Sequence, residues 1–154
     1  MRIATASAAA TEAHGARFGR TRARAAEALA VIYLCGDLGA GKTTWVRGFL
    51  AASGAAGAVR SPTYTLVELY ELTDAIAVHL DLYRLHDAAE LAPLGVRDWA
   101  GPGYLWLIEW PERGAGGLPT PDLTVTLRAG NDVHDITVDA QSGVGADWLS
   151  RVDA

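Results

Sequence analysis

A chain of 154 residues, half of them apolar and a fifth charged, is sized for one domain with a self-sufficient core rather than two. Its net charge of −5 withholds the positive field that non-specific nucleic-acid binding depends on, so strong direct binding of that kind is not expected. No stretch approaches the roughly 20 apolar residues of a membrane span, and the single cysteine, Cys35, excludes an internal disulfide and suits a reducing cytoplasm.

Residues 8–29 are rich in Ala, Arg and Glu, with Ala13, Phe18, Ala25 and Leu29 as an apolar side; they predict one helix with a break near Gly15 or Gly19. Thr5, Ser7, Thr11, Glu12 and His14 interrupt the alanines too often for a secretory leader. Val31-Ile32-Tyr33-Leu34-Cys35 is a continuous run of strand formers, of the kind buried on both faces of an α/β sheet, and Cys35 is expected to be buried in it. After Gly36 a second helical pattern runs from Thr43 to Ala52, stopped by Ser53-Gly54 and Gly57. Residues 64–70 and 76–82 read as a hairpin turning at Thr73-Asp74, which makes part of the sheet antiparallel.

Asp87 caps a short helix to Leu91, ended by Pro93-Leu94-Gly95, and a brief turn follows from Val96 to Trp99. Tyr104 to Glu109 is another apolar strand. Leu123 to Leu127 and Asp135 to Val138 predict a late hairpin across Gly130-Asn131, with Gly114 to Pro121 as the only linker-like stretch. Residues 1–9 and 142–154 are expected to be poorly ordered. The class expected is α/β: a single P-loop nucleotide-binding domain, residues 1–154, with a mixed central sheet flanked by helices.

The chemistry concentrates in Gly36-Asp37-Leu38-Gly39-Ala40-Gly41-Lys42-Thr43, which matches G-x-x-x-x-G-K-S/T between a buried strand and a helix. Its glycines let backbone N–H groups turn inward as an anion nest, the helix N-terminus adds partial positive charge, Lys42 reaches β- and γ-phosphates, and the Thr43 hydroxyl takes a Mg²⁺ position. Thr44 is either a further ligand or a helix-surface residue. Two strand-end carboxylates can complete the site. Asp81 is either a Mg²⁺ ligand on a strand neighbouring the P-loop strand, direct or through water, or a surface acid. Glu109 either orients water or an acceptor hydroxyl or pairs with Arg113 or Arg97 at the sheet rim. Ser61-Pro62-Thr63-Tyr64-Thr65 is either a turn into a strand or a switch-like loop offering Ser61 and Thr63 to the phosphate end. Arg84 can neutralise developing charge or anchor an acidic group, His79 and Tyr83 read more simply as packing, and most tryptophans belong to the core, with Trp110 exposed at the site.

Five blocks, Gly36 to Thr44, Ser61 to Val67, His79-Leu80-Asp81-Leu82-Tyr83-Arg84-Leu85, Gly95-Val96-Arg97-Asp98 and Glu109-Trp110-Pro111, together resemble the TsaE (YjeE) family over roughly residues 10–140. The resemblance implies that Lys42 and Thr43 hold ATP or ADP phosphate and Mg²⁺, with residues 37–44 lining the nucleotide. It also implies that Asp81 belongs to the Mg²⁺ site, that Glu109 and Trp110 serve hydrolysis and ligand placement, and that Thr63 is the switch residue. It further implies an ATPase of weak intrinsic activity that joins a transferase subunit, TsaD, and its paralogue, TsaB, in making threonylcarbamoyladenosine in tRNA, where hydrolysis resets that complex. Outside the family, a metabolite kinase, a GTPase switch and a non-hydrolysing ATP sensor share the P-loop. The short apolar segment 95–102 disfavours a kinase lid, and the chain has no N-K-x-D segment to read guanine.

Overall fold

In a computed structural model, which describes residues 1–22, 27–62 and 64–154, the apolar run becomes strand β2 (Ala30–Cys35) inside a seven-stranded sheet. The other strands are β1 (Arg2–Thr5), β3 (Val67–Glu71), β4 (Ile76–Asp81), β5 (Tyr104–Glu109), β6 (Leu123–Ala129) and β7 (His134–Ala140), in the spatial order β1-β7-β6-β2-β5-β4-β3. Strands β6, β2, β5 and β4 form a parallel centre, and antiparallel partners close both sides, so the sheet is mixed as expected. Successive residues of β2 point to opposite faces, and both faces are covered, which is why the run shows no polar alternation. Ile32 and Leu34 pack with Trp45, Phe49 and Trp148, whereas Val31 joins Val78, Leu80, Trp106 and Ile108.

Three helices complete the first face: α1 (Ala8–Arg20), α2 (Lys42–Ala52) and α3 (Gly143–Asp153). Ser7 caps α1 by accepting from the Ala10 amide, and Ser142 caps α3 through Gly145. The helix expected over residues 8–29 ends at Arg20, where the Thr21 amide and hydroxyl both return to the Arg17 carbonyl; residues 23–26 lie outside the described residues. Neither Gly15 nor Gly19 breaks it. A Cβ at Gly15 would sit 2.1 Å from the Trp45 carbonyl oxygen, one at Gly19 2.3 Å from that of Phe49, and one at Gly48 1.9 Å from that of Glu12. These glycines let the backbones of α1 and α2 approach each other, so what reads as helix-breaking composition is an interhelical contact.

Both chain ends contribute elements: β1 pairs with β7, and α3 buries Trp148 and Val152. The linker-like stretch is tied down, since the Tyr33 hydroxyl donates to the Pro119 carbonyl at 2.6 Å. The segment capped by Asp87 is a 3-10 helix, Ala88–Leu94, followed by a second at Val96–Trp99. Cys35 is half-buried rather than enclosed, and burial raises its thiol pKa, which keeps it protonated.

Candidate nucleotide-binding site

Strand β2 stops because Gly36 turns the chain out of the sheet with φ 147°, a conformation L side chains rarely adopt; a Cβ there would stand 2.3 Å from the Leu127 carbonyl oxygen. Gly39 and Gly41 also have positive φ, and the loop closes when the Ala40 amide bonds the Asp37 carbonyl at 3.1 Å. Asp37, Leu38 and Gly39 are exposed on its outer side, Ala40 is buried beneath, and α2 starts at Lys42 with its first amides directed at the loop. The Lys42 ammonium donates to the Gly36 carbonyl at 2.6 Å and the Asp37 carbonyl at 2.8 Å, under the Trp110 ring with 4.3 Å to its centroid. Burial lowers the lysine pKa, while Glu109, Asp81, Glu112 and Asp37 pull it back up.

Sheet order decides how the two carboxylates divide the site. The parallel neighbour of β2 on this side is β5, and β4 lies one strand further out, which corrects the expectation that Asp81 ends the strand beside the P-loop strand. Glu109, at the end of β5, is therefore the acid under Thr43. The Thr43 hydroxyl donates toward Glu109 Oε1 at 3.0 Å and Oε2 at 3.1 Å, and His79 Nε2 meets Oε2 at 2.6 Å. Arg113 lies instead over the Tyr83 and Trp110 rings. Asp81 stands in register beside Glu109, accepting from the Tyr83 amide at 3.1 Å and the Ser61 hydroxyl at 3.4 Å. Burial and then the Glu109 charge raise the Asp81 pKa, opposed by its Tyr83 and Ser61 donors and by His79.

These groups surround a cleft of about 250 Å³ bounded by Lys42, Thr43, Asp81, Arg84, Glu109 and Trp110. Trp110 reaches it because its backbone is left-handed, φ 57° and ψ 51°, which folds the indole back beside Tyr83 instead of continuing β5. Ser61 joins the site, Thr44 is half-buried on α2, and Thr63 lies outside the described residues. The sequence-based reading missed two contributions: His79 as the buried partner of Glu109, and His134, whose Nδ1 lies 3.0 Å from the Ala40 carbonyl of the loop. The H-x-D spacing that puts His79 and Asp81 on one face was a usable signal for the first; nothing local announces the second, 94 residues from its partner.

Among the described residues no three His, Cys, Asp or Glu side chains form a self-contained metal cage. The Thr43 hydroxyl and the Glu109 and Asp81 carboxylates are hard oxygen donors on one wall of the cleft, and this partial set fits Mg²⁺, which takes only one or two protein carboxylates and completes its shell with water and phosphate.

Fold and site define an α/β domain of the P-loop nucleotide-binding class. Residues 5–136 match the family model described as threonylcarbamoyl adenosine biosynthesis protein TsaE, and the chain belongs to that family. Relatives called tRNA threonylcarbamoyladenosine biosynthesis protein TsaE include one from Haemophilus influenzae, 46% identical over 120 residues (78% of this chain, 76% of the relative). Another, from Bacillus subtilis, is 37% identical over 111 residues (71% and 69%), and a third, from Treponema pallidum, is 35% identical over 124 residues (80% and 91%). A crystal structure of Bacillus subtilis YdiB superposes with a TM-score of 0.79 at 27% identity, covering 99% of this chain and 93% of that one. No helix among the described residues is long and apolar enough to cross a membrane.

Proposed function

We propose that this chain is the Mg²⁺-dependent ATP-binding and hydrolysing subunit of a cytoplasmic machinery that makes threonylcarbamoyladenosine in tRNA, resetting its transferase subunit, TsaD, and the paralogue TsaB between turnovers. The observation that carries the reading is the bond from Thr43 beneath the P-loop to the carboxylate ending the adjacent parallel strand, Glu109. A loop that bound no phosphate would need neither the buried lysine nor that acid. Lys42 exchanges its loop carbonyls for β- and γ-phosphate oxygens, and the inward amides of residues 39–43 take the rest of the phosphate charge. Thr43, Asp81 and Glu109 would hold Mg²⁺, which supplies charge neutralisation on the phosphates when bound. Glu109 orients the attacking water, and Arg84 at the cleft wall faces the charge that develops.

A metabolite-kinase reading finds little support, because the segment 95–102 holds only the short 3-10 helix Val96–Trp99, with Val96 buried, instead of a lid. The net charge of −5 agrees with a protein that serves tRNA modification through its protein partners. The test is ATP hydrolysis by the pure protein, alone and with TsaD and TsaB from the same organism. Weak activity that rises in the complex and disappears in Lys42→Ala and Glu109→Ala supports the assignment; absence of both stimulation and binding refutes the role in that complex.

A further inference from the structure

We propose that His79 is a positioning residue for Glu109, selecting which carboxylate oxygen is presented to the nucleotide cleft; the inference rests on the ATPase reading of the site. The Thr43 hydroxyl lies 3.0 Å from Oε1 and 3.1 Å from Oε2, so its single proton holds the carboxylate without distinguishing its two oxygens. His79 Nε2 approaches Oε2 alone, at 2.6 Å, and that second contact removes the symmetry. An ionised carboxylate only accepts, so Nε2 is the donor, and Oε2 is occupied from inside the sheet while Oε1 is left for the cleft.

The surroundings make this hold necessary. Asp81 stands directly opposite Glu109 in the β4–β5 register, and two carboxylates on neighbouring strands push each other apart. His79, two residues before Asp81 on the same face of β4, holds Glu109 against that push with its bond to Oε2. It is fully buried, its ring stays in place through packing, and Nδ1 has no hydrogen-bond partner among the described residues. A histidine kept only for packing would be replaceable by an apolar side chain without leaving that atom unbonded; what the buried imidazole gains here is its bond to Glu109.

The experiment compares the wild type with His79→Leu, which fills the space without a donor, and His79→Gln, whose amide nitrogen reaches the position of Nε2. Each is assayed for ATP hydrolysis with the transferase partners, for the Mg²⁺ concentration giving half-maximal ATP binding, and for thermal unfolding. The expected result for His79→Leu is a fall in kcat of about 10- to 100-fold with KM for ATP within about 3-fold, and a Mg²⁺ midpoint raised about 10-fold. His79→Gln recovers most of both. Wild-type kcat and Mg²⁺ midpoint in His79→Leu overturn the inference, as does a folded His79→Gln impaired as deeply as the leucine variant. If His79→Leu does not fold, His79→Asn, whose shorter amide cannot reach Glu109, takes its place under the same criteria. If the wild type binds ATP without hydrolysing it, the ATPase reading fails, and the Mg²⁺ midpoints alone decide the role of His79.

Discussion

Between pH 7 and pH 5 this protein should lose stability through a group far from the cleft, His14. The imidazole lies between α1 and α2, 2% exposed, and accepts from the Trp45 indole N–H through Nδ1 at 2.9 Å, against the Phe18 ring. Burial, with a smaller contribution from the Arg17 charge, lowers its pKa from 6.5 to about 4. Protonation would put a donor where Trp45 already donates. A base with a depressed folded pKa binds fewer protons folded than unfolded between the two values, so stability is complete above about 6.5 and falls as pH drops toward 4. The full shift corresponds to about 3 kcal/mol, of which about 2 kcal/mol is already lost at pH 5. The assay is urea unfolding of wild type and His14→Gln at both pH values, because the glutamine keeps an acceptor near Trp45 but does not titrate. The wild type should lose about 2 kcal/mol more than the variant over that interval, the carboxylates common to both cancelling. Equal losses would refute the placement of His14 as a neutral buried acceptor.

Gly48→Ala should destabilise by about 2 kcal/mol or more in chemical denaturation, since its methyl would fall 1.9 Å from the Glu12 carbonyl oxygen and force α1 off α2. Asp122→Ala should cost about 1 to 3 kcal/mol in the same assay, because one carboxylate serves both the Val31 amide at 2.9 Å and the Ser142 hydroxyl at 2.6 Å. Chelation with EDTA should weaken ATP binding measured by calorimetry at least 10-fold, and Thr43→Val should make binding largely insensitive to the chelator. Trp110→Gly should leave thermal stability within about 1 kcal/mol, backbone relief at φ 57° offsetting the lost ring, while nucleotide affinity falls.

How much of this was legible in the sequence depended on the range of the forces involved. The P-loop, β2, α2 and β5 are set by neighbouring residues, and their bounds were readable to within a residue; strand Tyr104–Glu109 has the bounds read for it. The Gly36, Gly39 and Gly41 pattern likewise announced its own turn. Strand order carries no such local mark. Asp81 and Glu109 both end apolar strands, and only the pairing of β2 with β5 shows which of them lies under Thr43. Gly15 and Gly19 misled for a related reason: a glycine that breaks a helix and one that admits a second helix look identical until the partner, here Trp45 to Phe49, is in place. The ends were illegible because β1 becomes a strand only by pairing with β7, and its four residues could not declare that alone.

That sheet order also fixes when during synthesis the protein can first grip a nucleotide. The P-loop strand emerges at residues 30–35, yet both its neighbours come much later, at 104–109 and 123–129. Until then the loop has no flanking strand to hold Gly36 in its turn and no Glu109 beneath Thr43. A ribosome stalled within β4 therefore carries a complete motif and an incompetent site, and binding should appear abruptly once the chain is nearly whole. Ligand affinity of nascent chains thus becomes a clock for sheet closure, with the last strand to arrive, β7, bringing His134 against the loop as it docks.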